Sequence, residues 1–228
     1  NIVWIGPKPN LIKSMGNKDI ARELALKSNI PICPGISNIT KLNSDDLKNK
    51  CENIGYPLLV KSSAGGGGIG MSVVQNFKDL SKSIEKTSNL AEKSFGNGDV
   101  FIEKFITNAR HIEIQIFGFG DKGAVHLYER DCSMQRRYQK IIEESPAPEI
   151  DRTLIESMAN AAVKLSSDVK YQGAGTVEFI YDVEKKKYYF LEMNTRIQVE
   201  HPVTELVTNN DLVSMQINFA FNRKNKFL

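Results

Sequence analysis

No stretch of this sequence approaches the roughly 20 consecutive apolar residues that a membrane-crossing helix needs, which excludes a helical membrane span. The first residues lack the basic start, apolar core and small-residue cleavage site of a secretory signal. Cysteine is scarce. Cys33, Cys51 and Cys132 are odd in number and widely spaced, so they form neither a disulfide framework nor a CxxC metal pair, and they suit a reducing compartment. The three histidines are scattered and no HExxH occurs, which disfavours zinc. Neither sign of charge is in excess. Lys+Arg number 30 against 27 Asp+Glu, and a net +3 is too weak to argue for a nucleic-acid partner. Hydrophobic residues at 41% and charged residues at 25% exclude a disordered chain. The 228 residues suffice for one large domain or two small ones.

The chain opens on Asn1 rather than Met and enters an apolar run, Ile2-Val3-Trp4-Ile5-Gly6, that reads as a strand. A domain seldom buries its first residues without flanking strands, so further sequence is expected before Asn1, and the fold is expected to continue past Leu228. A helix is expected over 11–27, a turn at Pro31 to Gly35, and a helix over 45–54 with Ser44 as N-cap. A strand at 58–61, a glycine loop and a strand at 71–74 follow, then a helix over 78–93 ended by Gly96-Asn97-Gly98. Strands are expected at 100–103, 111–119 and 124–130, an irregular basic stretch next, and a strand at 141–144. A helix over 151–167, a hairpin of 175–181 with 188–194, and a helical tail from His201 complete the pattern. Hairpins interleaved with helices predict an α+β fold with antiparallel sheets, not a doubly wound parallel sheet.

The glycine loop, Ser62 to Gly70, is the first chemical signal. Gly65, Gly67 and Gly70 match GxGxxG, but a strand follows where the dinucleotide motif needs a helix, and no GK[ST] closes a P-loop. What remains is a hairpin loop able to lay backbone N–H groups over phosphates, with Lys61 at the end of the entering strand. The bland alternative is a mobile tip with a solvated lysine, and the loop alone does not separate the two. A protein kinase is excluded by the lack of HRD and DFG sequences.

The second signal is a set of oxygen donors. Period-2 alternation turns Glu178 away from Val177 and Phe179, and puts Glu192 and Asn194 on one face with Leu191 and Met193 on the other. If the two strands pair, both glutamates lie on one face, repel, and call for a cation between them. Glu178, Glu192 and Asn194 suit Mg²⁺. In the strand at 111–116, His111, Glu113 and Gln115 oppose three isoleucines, which reads as a half-exposed strand with a solvent face. The basic segment Arg130 to Lys140 reads as a solvated loop or an anion site in preference to a nucleic-acid patch, because Asp131, Glu143 and Glu144 interrupt it.

The string Glu192-Met193-Asn194-Thr195-Arg196-Ile197-Gln198-Val199-Glu200-His201-Pro202-Val203-Thr204-Glu205 resembles the biotin carboxylase branch of the ATP-grasp superfamily. So do Glu129 to Ser133, Gln135-Arg136-Arg137, Gln139-Lys140 and the loop from Ala64 to Gly70, and the likeness runs from Ile5 to the final helix. The resemblance implies an ATP-grasp fold incomplete at both ends: 1–33 closing an N-terminal subdomain, 34–105 a small lid, and 106–228 a core with an antiparallel sheet. It implies phosphate contacts from Lys18, Lys61, Gly66, Gly67 and Gly68, an adenine hinge at Glu103, Lys104, Phe105 and Ile106, and a nucleotide contact at His111. It implies Mg²⁺ (or Mn²⁺) on Glu178, Glu192 and Asn194. Bicarbonate and biotin would meet Gln135, Lys140, Arg196, Gln198 and Val199, with Glu200 as the base and Lys140 and Arg196 holding the anion.

The implied reaction is the ATP-dependent carboxylation of biotin at N1′ through carboxyphosphate, as part of a biotin-dependent carboxylase. The biotin would ride on a carrier domain outside this chain, with a carboxyltransferase domain or subunit and a homodimeric parent as further partners. Cytoplasmic residence follows, or mitochondrial for an acyl-CoA carboxylase. Ile69, Asn108 to His111, Lys170 to Gly175 and Ile180 to Asp182 lean towards urea carboxylase, the biotin-dependent half of urea amidolyase. An acyl-CoA or pyruvate carboxylase is the alternative. A non-catalytic remnant and a carbamoyl-phosphate-synthetase-type ligase are further ones.

Overall fold

The computed structural model describes residues 2–64 and 70–221. The single helix expected over 11–27 is two, α1 (Pro9–Gly16) and α2 (Lys18–Lys27). Asn17 interrupts it: its backbone is extended, and its side-chain oxygen accepts from the Ile20 amide at 3.0 Å to cap α2. Residues 2–6, expected as a strand, pair with no neighbour among the described residues, and Ile2, Val3 and Trp4 are exposed. Apolar content alone does not make a strand, because the backbone groups need a hydrogen-bonding partner.

The first sheet has four antiparallel strands, β1 (Gly35–Ile36), β2 (Leu58–Ser62), β3 (Met71–Val74) and β4 (Val100–Lys104), in the order β1-β4-β2-β3. Its apolar face buries Leu58, Val60, Val74 and Ile102 against α3 (Ser44–Ile54) and α4 (Leu80–Phe95), which contribute Cys51 and Leu80. Asn43, not Ser44, caps α3, accepting from the Asp46 amide at 2.8 Å. Gly96 ends α4 at φ 68°, a left-handed cap that glycine adopts without steric cost.

The second sheet has five antiparallel strands: β5 (Ala109–Phe119), β6 (Ala124–Arg136), β7 (Gln139–Glu144), β8 (Gln172–Asp182) and β9 (Lys187–Asn194). Their order is β7-β6-β5-β8-β9. The basic stretch expected to be irregular belongs to β6 and β7. Arg137 and Tyr138, at φ 52° and 64°, make the tight turn between them. Left-handed turns of this kind are announced by Asn-Gly or Asp-Gly, and Arg-Tyr carries no such signal. Ile112, Ile114, Ile116, Val177 and Phe179 bury one face of this sheet against Ile155, Met158, Ala162 and Leu165 of α5 (Arg152–Asp168). Each such side chain contributes on the order of 2 kcal/mol. The chain ends in α6 (His201–Thr208) and α7 (Leu212–Ala220), with Leu212 and Met215 packed on Phe117 and Phe119. The polar face of the second sheet looks across a cleft at the first.

Candidate functional site

Strand register builds the site. Glu113 on β5 stands opposite Glu178 on β8, and Glu178 stands opposite Glu192 on β9, while Arg130 on β6 flanks Glu113 on the other side. One arginine and three carboxylates therefore form a row across four strands, on the face away from α5. A second row, Gln115, Thr176 and Asn194, runs beside it. Leu191 departs from the expected alternation. The pairing slips between Glu178 and Phe179, so that Phe190 and Met193 both enter the core, while Leu191 lines the cleft beside Glu192. This extra residue is a β-bulge, and it lets Glu192 face Glu178 without pulling Phe190 out of the core.

The polar face of β5 is not a solvent face. Glu113 and Gln115 are both 0% exposed, and so is Arg130, whose segment was expected to be a solvated loop or an anion site. The Arg130 guanidinium donates to Glu113 Oε1 at 2.5 Å, to Gln115 Oε1 at 2.8 Å and to Thr204 Oγ1 at 2.6 Å, with longer bonds to Thr176 and Gln198. A buried cation persists only when its donors are answered in this way. Lys140 reaches over from β7: its ammonium donates to Glu113, to Glu178 at 3.1 Å and to Glu200 at 2.8 Å. His111 Nε2 lies 2.8 Å from Glu178 Oε2, outside aligned hydrogen-bond geometry, and Gln135 donates to its Nδ1 at 2.9 Å. Asn194 Nδ2 donates to Glu178 Oε1 at 2.7 Å, and Gln198 Nε2 at 3.4 Å.

These contacts separate the carboxylates. Burial alone would raise Glu178, but His111 and Lys140 hold it below the usual range. Glu192 is pushed up by burial and by the charge of Glu178 facing it. Glu200 is resisted by burial yet held low by Lys140. Burial lowers Lys140, and the charges of Glu178 and Glu113 raise it by more. The charges of Lys18, Lys61 and His111 oppose the rise at Glu192 without cancelling it. Two facing carboxylates with the Asn194 amide in the neighbouring row are an oxygen donor set that fits a hard divalent cation.

The four-stranded sheet supplies the opposite wall. Lys61, at the end of β2, donates to Glu103 Oε1 at 2.8 Å, and Arg22 NH1 donates to the other oxygen at 3.0 Å. Lys18 has its pKa lowered by burial, an effect that Glu192 opposes and Lys61 reinforces. At the expected hinge, the Lys104 amide donates to the Pro34 carbonyl at 2.8 Å and the Phe105 amide to the Pro57 carbonyl at 3.1 Å. The Lys104 carbonyl accepts from Cys33 Sγ at 3.2 Å.

One cavity of about 780 Å³ lies between the walls. Lys61, Glu103, Lys104, Phe105 and Ile106 line it from one side, and Lys18 lines it from the start of α2. His111, Gln135, Lys140, Glu178, Glu192, Asn194, Arg196, Gln198, Val199 and Glu200 line it from the other. Gly66, Gly67 and Gly68 lie outside the described residues. Arg196 is exposed at the rim, its guanidinium donating to the Ile197 carbonyl at 3.1 Å. Sequence alone gave no role here to Arg22 or Cys33, and it read Glu113 as part of a solvent face. For Glu113 a signal existed, since it shares the face of His111 two residues away.

The family model described as "Carbamoyl-phosphate synthase L chain, ATP binding domain" matches residues 17–226. The chain is 48% identical over 220 residues to Biotin carboxylase 1 of Bacillus subtilis, covering 96% of this chain and 49% of that protein. It is 46% identical over 221 residues to urea amidolyase of Saccharomyces cerevisiae, covering 97% of this chain and 12% of that one. A solved biotin carboxylase domain of Hydrogenobacter thermophilus 2-oxoglutarate carboxylase, described with MgADP, ADP and bicarbonate, matches with a TM-score of 0.90 and 42% identity. The match covers 99% of this chain and 49% of that one. The chain thus spans about half the length of the bacterial carboxylase it resembles.

Proposed function

This chain belongs to the carbamoyl-phosphate synthase L chain ATP-binding domain family, with the ATP-grasp fold of biotin carboxylases, and from that premise we propose that it carries out the ATP- and bicarbonate-dependent carboxylation of biotin. One observation carries the reading. Lys140 joins Glu200 to Glu178, Glu178 faces Glu192, and Lys61 lines the same cleft, so the residues proposed as base, anion holder, cation ligands and phosphate contact line one cavity.

Bicarbonate is a poor nucleophile. Lys140 and Arg196 draw it in, with Gln135, Gln198 and the Val199 backbone shaping the pocket. Lys140 keeps Glu200 ionised in the resting site. An anion seating beside the ammonium competes with Glu200 for it, and the carboxylate regains basicity as its substrate arrives. Glu200 then takes the bicarbonate proton, and the bicarbonate oxygen attacks the γ-phosphorus of ATP, breaking its bond to the bridging oxygen and releasing ADP. ATP lies with its base at Glu103 to Ile106, its phosphates under Lys18, Lys61 and Gly66 to Gly68, and His111 beside it. Magnesium or manganese, held by Glu178, Glu192 and Asn194, would neutralise charge on the transferring phosphoryl group. Carboxyphosphate breaks into CO₂ and phosphate next to biotin; the phosphate takes the N1′ proton, Arg196 stabilises the deprotonated ureido oxygen, and N1′ bonds to the carbon of CO₂ to give carboxybiotin. Residues 34–105 act as a lid that keeps water from the intermediate, over a core of 106–228, with 1–33 closing an N-terminal subdomain.

The carboxyl acceptor is proposed as urea, on the motifs at 108–111, 170–175 and 180–182. The identities of 48% and 46% do not separate this from other biotin-dependent carboxylases, among them the acyl-CoA and pyruvate enzymes. A biotinyl carrier, a carboxyltransferase and a second copy are the proposed partners, in the cytoplasm. No described helix is long and apolar enough to cross a membrane.

The test is ATP hydrolysis by the intact protein. Phosphate release should require bicarbonate and rise with free biotin. Hydrolysis indifferent to both would favour a non-catalytic remnant, and carbamate chemistry with ammonia but none with biotin would favour a carbamoyl-phosphate-synthetase-type ligase.

A further inference from the structure

Helix α2 carries Lys18 in its first turn and Arg22 one turn later, on the same side of the helix. The Arg22 fork spans two acceptors: NH1 donates to Glu103 Oε2 at 3.0 Å and NH2 to the Cys33 carbonyl at 2.9 Å. The other oxygen of Glu103 holds the Lys61 ammonium at 2.8 Å. All three side chains are buried, with Arg22 at 7%, Glu103 at 7% and Lys61 at 5% exposure. Both cations also lie over the Phe101 ring, at 5.3 and 5.7 Å from its centroid. The packing is tight, since a Cβ on Gly35 would stand 3.0 Å from Arg22 NH2 and 2.6 Å from the Ile102 carbonyl oxygen.

A lysine that serves incoming phosphates has to loosen its resting partner. If Glu103 were paired with Lys61 alone, that departure would strand a buried carboxylate, which is among the costliest single events in a protein interior. Arg22 removes that penalty. Its charge is permanent, its fork is fixed at the far end by the Cys33 carbonyl, and it keeps Glu103 paired whichever way Lys61 points. We propose that Arg22 is a positioning residue for nucleotide binding: by holding the Glu103 carboxylate, it frees Lys61 to exchange that carboxylate for phosphate oxygens. This rests on the reading of the cleft as an ATP site and adds to it a residue that never touches the nucleotide.

The experiment is a double-mutant cycle on the intact protein, with MgATP affinity measured by calorimetry and the kcat and KM for ATP measured separately. Arg22→Met should weaken MgATP binding by about tenfold or more, and Arg22→Lys, which keeps the charge but loses the fork, should recover only part of that loss. In a Lys61→Gln background, Arg22→Met should change affinity by less than about twofold, because no ammonium is left to be freed. A merely structural role would lower the melting temperature and the active fraction equally in both backgrounds. If Arg22→Met does not fold, two further variants decide the matter. Arg22→Lys should lose affinity only where Lys61 is present, and Glu103→Gln, which removes the buried charge, should make a following Arg22→Lys silent. Wild-type affinity in Arg22→Met, or an undiminished loss in the Lys61→Gln background, overturns the inference while the ATP reading stands. A wild-type protein that does not bind MgATP overturns both.

Discussion

The acidic residues of the cleft differ in how far neighbouring cations offset the cost of their burial. Glu113 has Arg130 and Lys140, Glu178 has Lys140 and His111, and Glu200 has Lys140. Glu192 has its pKa pushed up by burial and by Glu178, against the opposing charges of Lys18, Lys61 and His111. Two opposite effects are therefore expected from Glu192→Gln. Without divalent ions the variant should melt higher than the wild type, because a like-charge repulsion is gone. Its affinity for Mn²⁺, followed by the loss of the free-ion EPR signal, should fall about tenfold or more. A variant that melts lower and binds Mn²⁺ normally would remove the cation site from this reading.

At the scale of elements, β6 does two jobs at adjacent residues. Arg130 points into the site, and Glu129 anchors the segment that leads into α5. The Glu129 carbonyl accepts from Ser145 Oγ at 2.7 Å, its carboxylate accepts from the Ala147 amide at 3.0 Å, and Arg152 at the start of α5 pairs with it. Burial would raise Glu129, but Arg152 and the Ala147 amide bring it below its ordinary 4.5. A carboxylate lowered by folding contributes stability that is present above its unfolded value and lost as pH falls through the folded one. Urea unfolding between about pH 3 and 6 should therefore show stability declining from about pH 4.5 downward, and less steeply in Glu129→Gln. An identical acid limb in the two proteins would mean that this anchor carries no charge-dependent stability.

For the whole molecule, the site exists only between two sheets. Lys61 and the Glu103–Ile106 stretch belong to one wall, the carboxylate row belongs to the other, and Lys18 comes from α2, which packs on β9. A nucleotide gripped by both walls adds its binding free energy to folding. At 100 times its dissociation constant that is about 2.7 kcal/mol, which for a domain of this size raises the melting temperature by about 5 to 10 °C. Scanning fluorimetry of the intact protein with MgATP should register such a rise, and Lys61→Gln should reduce it. No rise at millimolar MgATP would sink the nucleotide reading.

Local pattern carried a good part of this. The alternation around Glu178, Glu192 and Asn194 told which face each occupies, the strands expected at 58–61 and 71–74 paired with each other, and the string from Glu192 to Glu205 was specific enough to name a family, because each is a property of neighbouring residues. Tertiary structure alone decided who stands next to whom. Arg22 and Glu103 are 81 residues apart, and no periodicity links them. Glu113 and Gln115 looked like a solvent face because alternation marks a side as polar without saying whether water or another wall covers it. The slip at Leu191, which keeps Glu192 opposite Glu178, comes from the core's demand for both Phe190 and Met193. Side-chain period is written along the chain, whereas register, burial and charge pairing arise only when distant strands meet.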